Sequence, residues 1–192
     1  RNARGEKYPS PLRAAMLAEK CGADSITVHL REDRRHINDS DLNSIISRLK
    51  IPLNLEIAAT NEMLKIALKH KPPFVCIVPE KRKEITTEGG LNLKNKHLKN
   101  IVKKLQLANI DVSLFIDPTI DNIKKAIVLG ANSIEIHTGK FARLIRLKNK
   151  KLYKKEFIRI KKCSIFANEN KLNVKFGHGL DYESAKYLCK IK

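Results

Sequence analysis

Cys21-Gly-Ala-Asp-Ser-Ile-Thr-Val-His29 returns in the second half of the chain as Leu129-Gly-Ala-Asn-Ser-Ile-Glu-Ile-His137. Each copy reads as a helix ending at a glycine suited to a left-handed cap. A small residue, an Asp or Asn, and a strand that stops at histidine follow. A repeated unit of helix, glycine and strand favours a (β/α)8 barrel over an open doubly wound sheet. No G-x-G-x-x-G turn follows an early strand, which argues against a dinucleotide-binding domain.

The same alternation extends in both directions. Apolar, β-branched runs predict strands at 25–30, 53–58, 74–78, 111–116, 133–137 and 173–176. Between them, helical patterns run over 11–21, 39–49, 96–108 and 119–129. Thr60 is expected to cap a helix reaching 70, the basic stretch leads into a helix at 154–168, and Asp181 caps a last one. Six strands alternating with helices mark an α/β fold with a parallel sheet covered by helices. The count is two short of a TIM barrel, and both gaps fall at the ends. Residues 1–192 are therefore expected to form a single barrel domain whose first and last strands lie outside this sequence, in a chain of about 250 residues. A protein of this span alone is expected to expose two unpaired strand edges and to be unstable or inactive.

Composition narrows the function classes. At 42% hydrophobic over 192 residues the chain can bury one substantial core, and it has no apolar run long enough to cross a membrane. Cys21, Cys76, Cys163 and Cys189 show no C-x-x-C spacing and are expected to be buried free thiols in a reducing compartment, the cytoplasm. The net charge of +19 suggests a nucleic-acid binder when taken alone. However, 11 basic residues and one acid crowd into positions 140–162, and the chain has no Trp for stacking on bases. The excess reads as solvated helix faces and argues against a nucleic-acid role. An RNA-binding module built on this stretch is the competing reading outside enzymology.

Barrel enzymes carry their sites at the carboxyl ends of the strands. Those ends hold His29 and Arg31, Glu56, Glu80, Asp117, Glu135 and His137, and His178 with Gly179. Ionisable groups closing apolar strands cost desolvation, so they are paired or kept for chemistry. His29, Glu56 and His178 are expected to converge on one mouth and to do general acid–base work. Arg31 offers a bidentate fork for phosphate, whereas Arg34 and Arg35 are expected to pair with Glu32 and Asp33. The Gly177-His178-Gly179-Leu180-Asp181 turn is either a phosphate cradle or a tight strand-to-helix turn. Residues 79–91 form either a closing lid hinged at Gly89 and Gly90 or a mobile surface loop. No H-x-x-x-H or H-E-x-x-H spacing occurs, so no metal is expected. A different phosphate-handling barrel enzyme, an aldolase or isomerase using Lys175 as a Schiff base, stays open at this point.

Longer strings carry a resemblance. Arg1-Asn-Ala-Arg-Gly5, Thr27-Val-His-Leu-Arg-Glu-Asp-Arg-Arg-His36, Asn54-Leu-Glu56, Val78-Pro-Glu-Lys-Arg82, Thr86-Thr-Glu-Gly-Gly-Leu91, Val112-Ser-Leu-Phe-Ile-Asp117, Glu135-Ile-His-Thr-Gly139 and Gly177-His-Gly-Leu180 closely resemble the pyridoxine 5'-phosphate synthase family, in order and end to end. The resemblance implies a TIM barrel that condenses 3-amino-2-oxopropyl phosphate with 1-deoxy-D-xylulose 5-phosphate to make the vitamin B6 ring. It implies acid–base roles at His29, Glu56 and His178, and substrate binding at Arg4, Arg31, His36, Thr86 and Gly179. It further implies a homo-octamer that needs neither metal nor organic cofactor.

Overall fold

A computed structural model describes residues 5, 6, 8–80 and 89–191. In chain order the elements are α1 (Pro11–Lys20), β1 (Ile26–His29), α2 (Asp39–Arg48), β2 (Leu53–Ala58), α3 (Asn61–His70), β3 (Phe74–Val78), α4 (Leu98–Leu107), β4 (Asp111–Ile116), α5 (Ile120–Leu129), β5 (Ser133–His137), α6 (Gly139–Arg146), α7 (Lys150–Glu169), β6 (Asn173–Gly177) and α8 (Tyr182–Leu188). All neighbouring strands are parallel, and the sheet order is β1-β2-β3-β4-β5-β6. Each strand therefore pairs with the next one in sequence, as in a TIM barrel. The six form a half-barrel arc.

Local chemistry sets the helix ends. Ser10, Thr60 and Thr119 each accept an N–H from the first turn, with Pro11 opening α1. Asn38 with Asp41, and Asp181 with Ser184, form reciprocal capping boxes. Gly130 closes α5 at φ 81°, a conformation that only glycine adopts cheaply.

Side chains alternate across the sheet. Leu55, Ile57, Val75, Ile77, Val112, Leu114, Ile134 and Ile136 are fully buried in the layer beneath the helices. Truncating one of them, as in Leu114→Ala, is expected to cost about 2–5 kcal/mol. On the inner face Cys76, Val78 and Phe115 make a small separate apolar cluster. Around it lie Asn54, Glu56, Ser113, Glu135 and Lys175. The barrel interior is thus unusually polar for a buried surface, which positions the chemistry.

Four expectations need correction. The basic stretch contains a helix of its own, α6, whose Phe141, Ala142, Leu144 and Ile145 are buried. The following helix α7 begins at Lys150, a turn earlier than 154. Cys76 and Cys163 are buried, but Cys21 and Cys189 are exposed, because both fall at helix C-termini facing solvent. Arg35 does pair with Asp33, but Arg34 reaches instead to Asp39 at 3.1 Å and Glu62 at 2.7 Å.

Candidate active site

The parallel sheet brings the strand ends named above to a single rim. His29 closes β1 and is the register partner of Glu56 on β2. Its Nδ1 lies 3.6 Å from Glu56 Oε2. Burial disfavours charge on both groups. It lowers His29 to about 4, helped by the Arg31 charge, and raises Glu56 to about 7, helped by the Glu135 carboxylate. Near neutral pH the pair is therefore a neutral imidazole facing a half-protonated carboxyl, not an ion pair. A carboxyl poised near 7 suits a general base.

Glu135 sits deeper, on β5, and burial raises its pKa too, against the pull of Lys175. The Cys76 thiol lies 3.8 Å from its Oε2. Gly177 packs directly on Glu135, and a Cβ there would overlap the carboxylate. From its place in the sequence Glu135 is one strand-end carboxylate among several, with no role of its own. Lys175, weighed above as a Schiff-base candidate, sends its ammonium over the Phe74 ring at 4.9 Å. Phe74 opens β3, so this amine points toward the end of the sheet opposite the rim.

His178 follows β6 and occupies a different part of the rim. Its ring stacks on His137 with centroids 4.9 Å apart and 29° between planes. Phe115 abuts both rings edge-on. His137 Nδ1 in turn lies 3.8 Å from Asp117 Oδ1. Burial lowers the His178 pKa, and the neighbouring His137 lowers it further. The backbone of His178 is left-handed, at φ 74°, which is costly for a non-glycine residue. Thr138 holds it there: its N–H donates to the Gly177 carbonyl at 2.9 Å, and its hydroxyl lies 2.6 Å from the Gly177 carbonyl and 2.9 Å from that of His178. Gly139 leaves room for both imidazoles, since a Cβ there would come within 3.2 Å of each.

The binding candidates divide. Arg31 is 4% exposed, with Asp33 at 3.4 Å and Glu80 at 3.7 Å, so its charge is already shared with the chain's own carboxylates. His36 is exposed in the same loop, and burial together with the charges of Arg31 and Arg35 lowers its pKa. Gly179 is exposed and left-handed, at φ 72°, and its carbonyl accepts from Arg146 at 3.0 Å. The first turn of α8 is capped by Asp181, which accepts the Ser184 N–H at 2.8 Å. The chain's own carboxylate thus fills that arm of the expected phosphate cradle. Arg4, Thr86 and most of the expected lid lie outside the described residues. Gly90 is a close-approach glycine rather than a simple hinge, because a Cβ would overlap the backbone at the end of β4.

Among the described residues no group of three or more His, Cys, Asp or Glu could hold a metal ion. Among them, too, no helix is long and apolar enough to cross a membrane.

The chain is similar along its length to known proteins. The chain is 53% identical over 194 residues to pyridoxine 5'-phosphate synthase of Pelagibacter ubique, covering 100% of this chain and 80% of that protein. It is 52% identical over 186 residues to the enzyme of that name in Zymomonas mobilis, covering 96% and 71%. With the Ehrlichia chaffeensis enzyme it shares 46% over 193 residues, covering 100% and 78%. The family model of the pyridoxal phosphate biosynthesis protein PdxJ matches residues 1–192. A barrel-ordered sheet, an acid–base rim and this end-to-end identity agree, and the chain belongs to the PdxJ family of vitamin B6 biosynthesis.

Proposed function

We propose that the chain acts as a pyridoxine 5'-phosphate synthase, with Glu56 and His29 as bases and His178 as an acid. The observation that carries this reading is the half-buried Glu56–His29 contact at the barrel rim, with Glu56 raised to about 7. The substrates are 3-amino-2-oxopropyl phosphate and 1-deoxy-D-xylulose 5-phosphate. The amine attacks the ketone, and the carbinolamine loses water. Phosphate is eliminated, enols form, and ring closure releases a second water. Every step moves a proton, so groups titrating near neutrality are needed.

Glu56 removes carbon-bound protons, and His29, neutral beside it, serves as the second base. His178 protonates leaving oxygen. Its depressed pKa makes it a strong acid once protonated, and a bound phosphate dianion beside it would draw that pKa back up. Arg31 and His36, with Arg4 and Thr86, bind the phosphorylated substrates, and Gly179 lends backbone to the second phosphate. Neither metal nor organic cofactor is required by these proton transfers.

We also infer a homo-octamer in the cytoplasm. Exposed Ile158 and Ile165 on α7, with Met16 and Leu17 on α1, leave apolar surface that association would cover. The free thiols fit a reducing compartment. Mass spectrometry of the full-length protein mixed with both substrates tests the activity. Pyridoxine 5'-phosphate is the expected product, and its absence would overturn the assignment.

A further inference from the structure

We propose that Glu80 is the positioning carboxylate of this site: it holds the Nε2 edge of His29 so that Nδ1 faces Glu56. The inference rests on the acid–base reading of His29 given above. Glu80 lies two residues beyond β3, and its side chain is 1% exposed. Oε1 accepts the Glu32 backbone N–H at 2.9 Å and lies 3.7 Å from Arg31 Nη2. Oε2 lies 3.6 Å from His29 Nε2. Both of these last atoms are buried, and neither has a hydrogen-bond partner among the described residues. They face each other about 0.7 Å beyond normal N–H···O length, so a small tightening completes the bond.

The arrangement settles a question of tautomer. A neutral imidazole carries one N–H. Its two edges here meet two carboxyls, Glu56 at Nδ1 and Glu80 at Nε2, each at 3.6 Å. Burial raises both carboxyls, but Glu80 alone has that rise opposed by the Glu32 N–H and the Arg31 charge, whereas the Glu135 carboxylate pushes Glu56 further up. The N–H therefore belongs on Nε2, donated to Glu80, with the Nδ1 lone pair turned to Glu56. When Glu56 takes a proton from substrate carbon, its carboxyl can donate a hydrogen bond to the Nδ1 lone pair, which holds the acid in place. The Glu80 carboxylate, facing Nε2–H, keeps that lone pair turned to Glu56. The other charges near His29 are Arg31, Asp33 and His36 on its own segment, and none of them addresses the Nε2 edge as Glu80 does. Glu80 also ties the β1 loop to the end of β3 through the Glu32 N–H, a bond that a glutamine at this position keeps.

The test uses the full-length protein and begins without a variant. Side-chain 15N NMR at pH 7 should show His29 as the Nε2–H tautomer, and a dominant Nδ1–H form would overturn the proposal. Glu80→Gln keeps an acceptor for the Glu32 N–H but loses the charge. Turnover should fall about 10- to 100-fold, by analogy with outer-shell partners of functional imidazoles, and KM should change far less. The double variant His29→Asn/Glu80→Gln should be no slower than His29→Asn alone, because Glu80 acts through His29. Multiplicative losses, or an unchanged kcat in Glu80→Gln, would overturn the positioning role. Near-normal turnover in His29→Asn would sink the acid–base reading itself, a separate failure.

Discussion

His137 and His178 stack at 4.9 Å, so one imidazole of the rim is the immediate electrostatic neighbour of another. Protonating either ring penalises the other. Burial is the larger cause of the low His178 pKa and His137 the second. Replacing His137 by Phe keeps an aromatic neighbour and removes the charge. The His178 pKa should then move up toward its ordinary 6.5. The shift is readable as the Cε1–H chemical shift against pH, and a downward shift would contradict the stacking account.

Thr138 is fully buried, and its hydroxyl serves the carbonyls on both sides of the left-handed turn at His178. Thr138→Val removes this donor from the His178 carbonyl and leaves the Gly177 carbonyl with the backbone N–H of residue 138, at a cost of about 1–3 kcal/mol. Urea unfolding should show that loss. Turnover should also fall by about 100-fold as His178 drifts from its position, and Thr138→Ser should restore most of both.

Glu56 links catalysis to stability with a definite sign. Its folded pKa, about 7, is above its ordinary 4.5, so the folded state binds more protons between those values. Its contribution is present at low pH and is lost as pH rises through 7, by up to about 3 kcal/mol. His29, lowered to about 4 from 6.5, acts oppositely: its stability is present at high pH and is lost as pH falls. Glu56→Gln should therefore gain stability relative to the parent between pH 5 and pH 8, measured by chemical denaturation at both. A constant difference would show that Glu56 titrates normally.

Gly177 has no room for a side chain because Glu135 occupies the space. Gly177→Ala must displace that carboxylate or bend β6. Overpacking of this kind costs about 1–3 kcal/mol. A crystal structure of the variant should show Glu135 moved, and turnover should fall by about tenfold or more, since Glu135 helps hold Glu56 near neutrality. Unchanged turnover would remove Glu135 from the account.

Much of this was legible in the sequence. Strands β2 to β5 fall where their apolar runs begin and end, because Pro, Gly and Asn punctuate them. Thr60, Thr119 and Asp181 act as caps for the reason their side chains suggest. The helix α6 was hidden because Lys140, Arg143 and Arg146 dominate its composition, although Phe141, Ala142, Leu144 and Ile145 supply a buried face. Glu80 was not assigned a role because it follows Pro79 and reads as the start of a loop. Its partners, Glu32 and His29, are some fifty residues away, and nothing local signals that approach. The His137–His178 stack was missed for a similar reason, since it arises only when β5 and β6 pair in register.

The central claim is that Glu56, at the rim beside His29, is the base that drives ring formation. The most direct measurement is the rate of pyridoxine 5'-phosphate production from both substrates by the full-length protein and its Glu56→Gln variant across pH 5–9. The account predicts a parent profile with a limb near 7 and a variant slower by about 10²- to 10⁴-fold that lacks this limb. Near-normal turnover in the variant, with the limb intact, would contradict it.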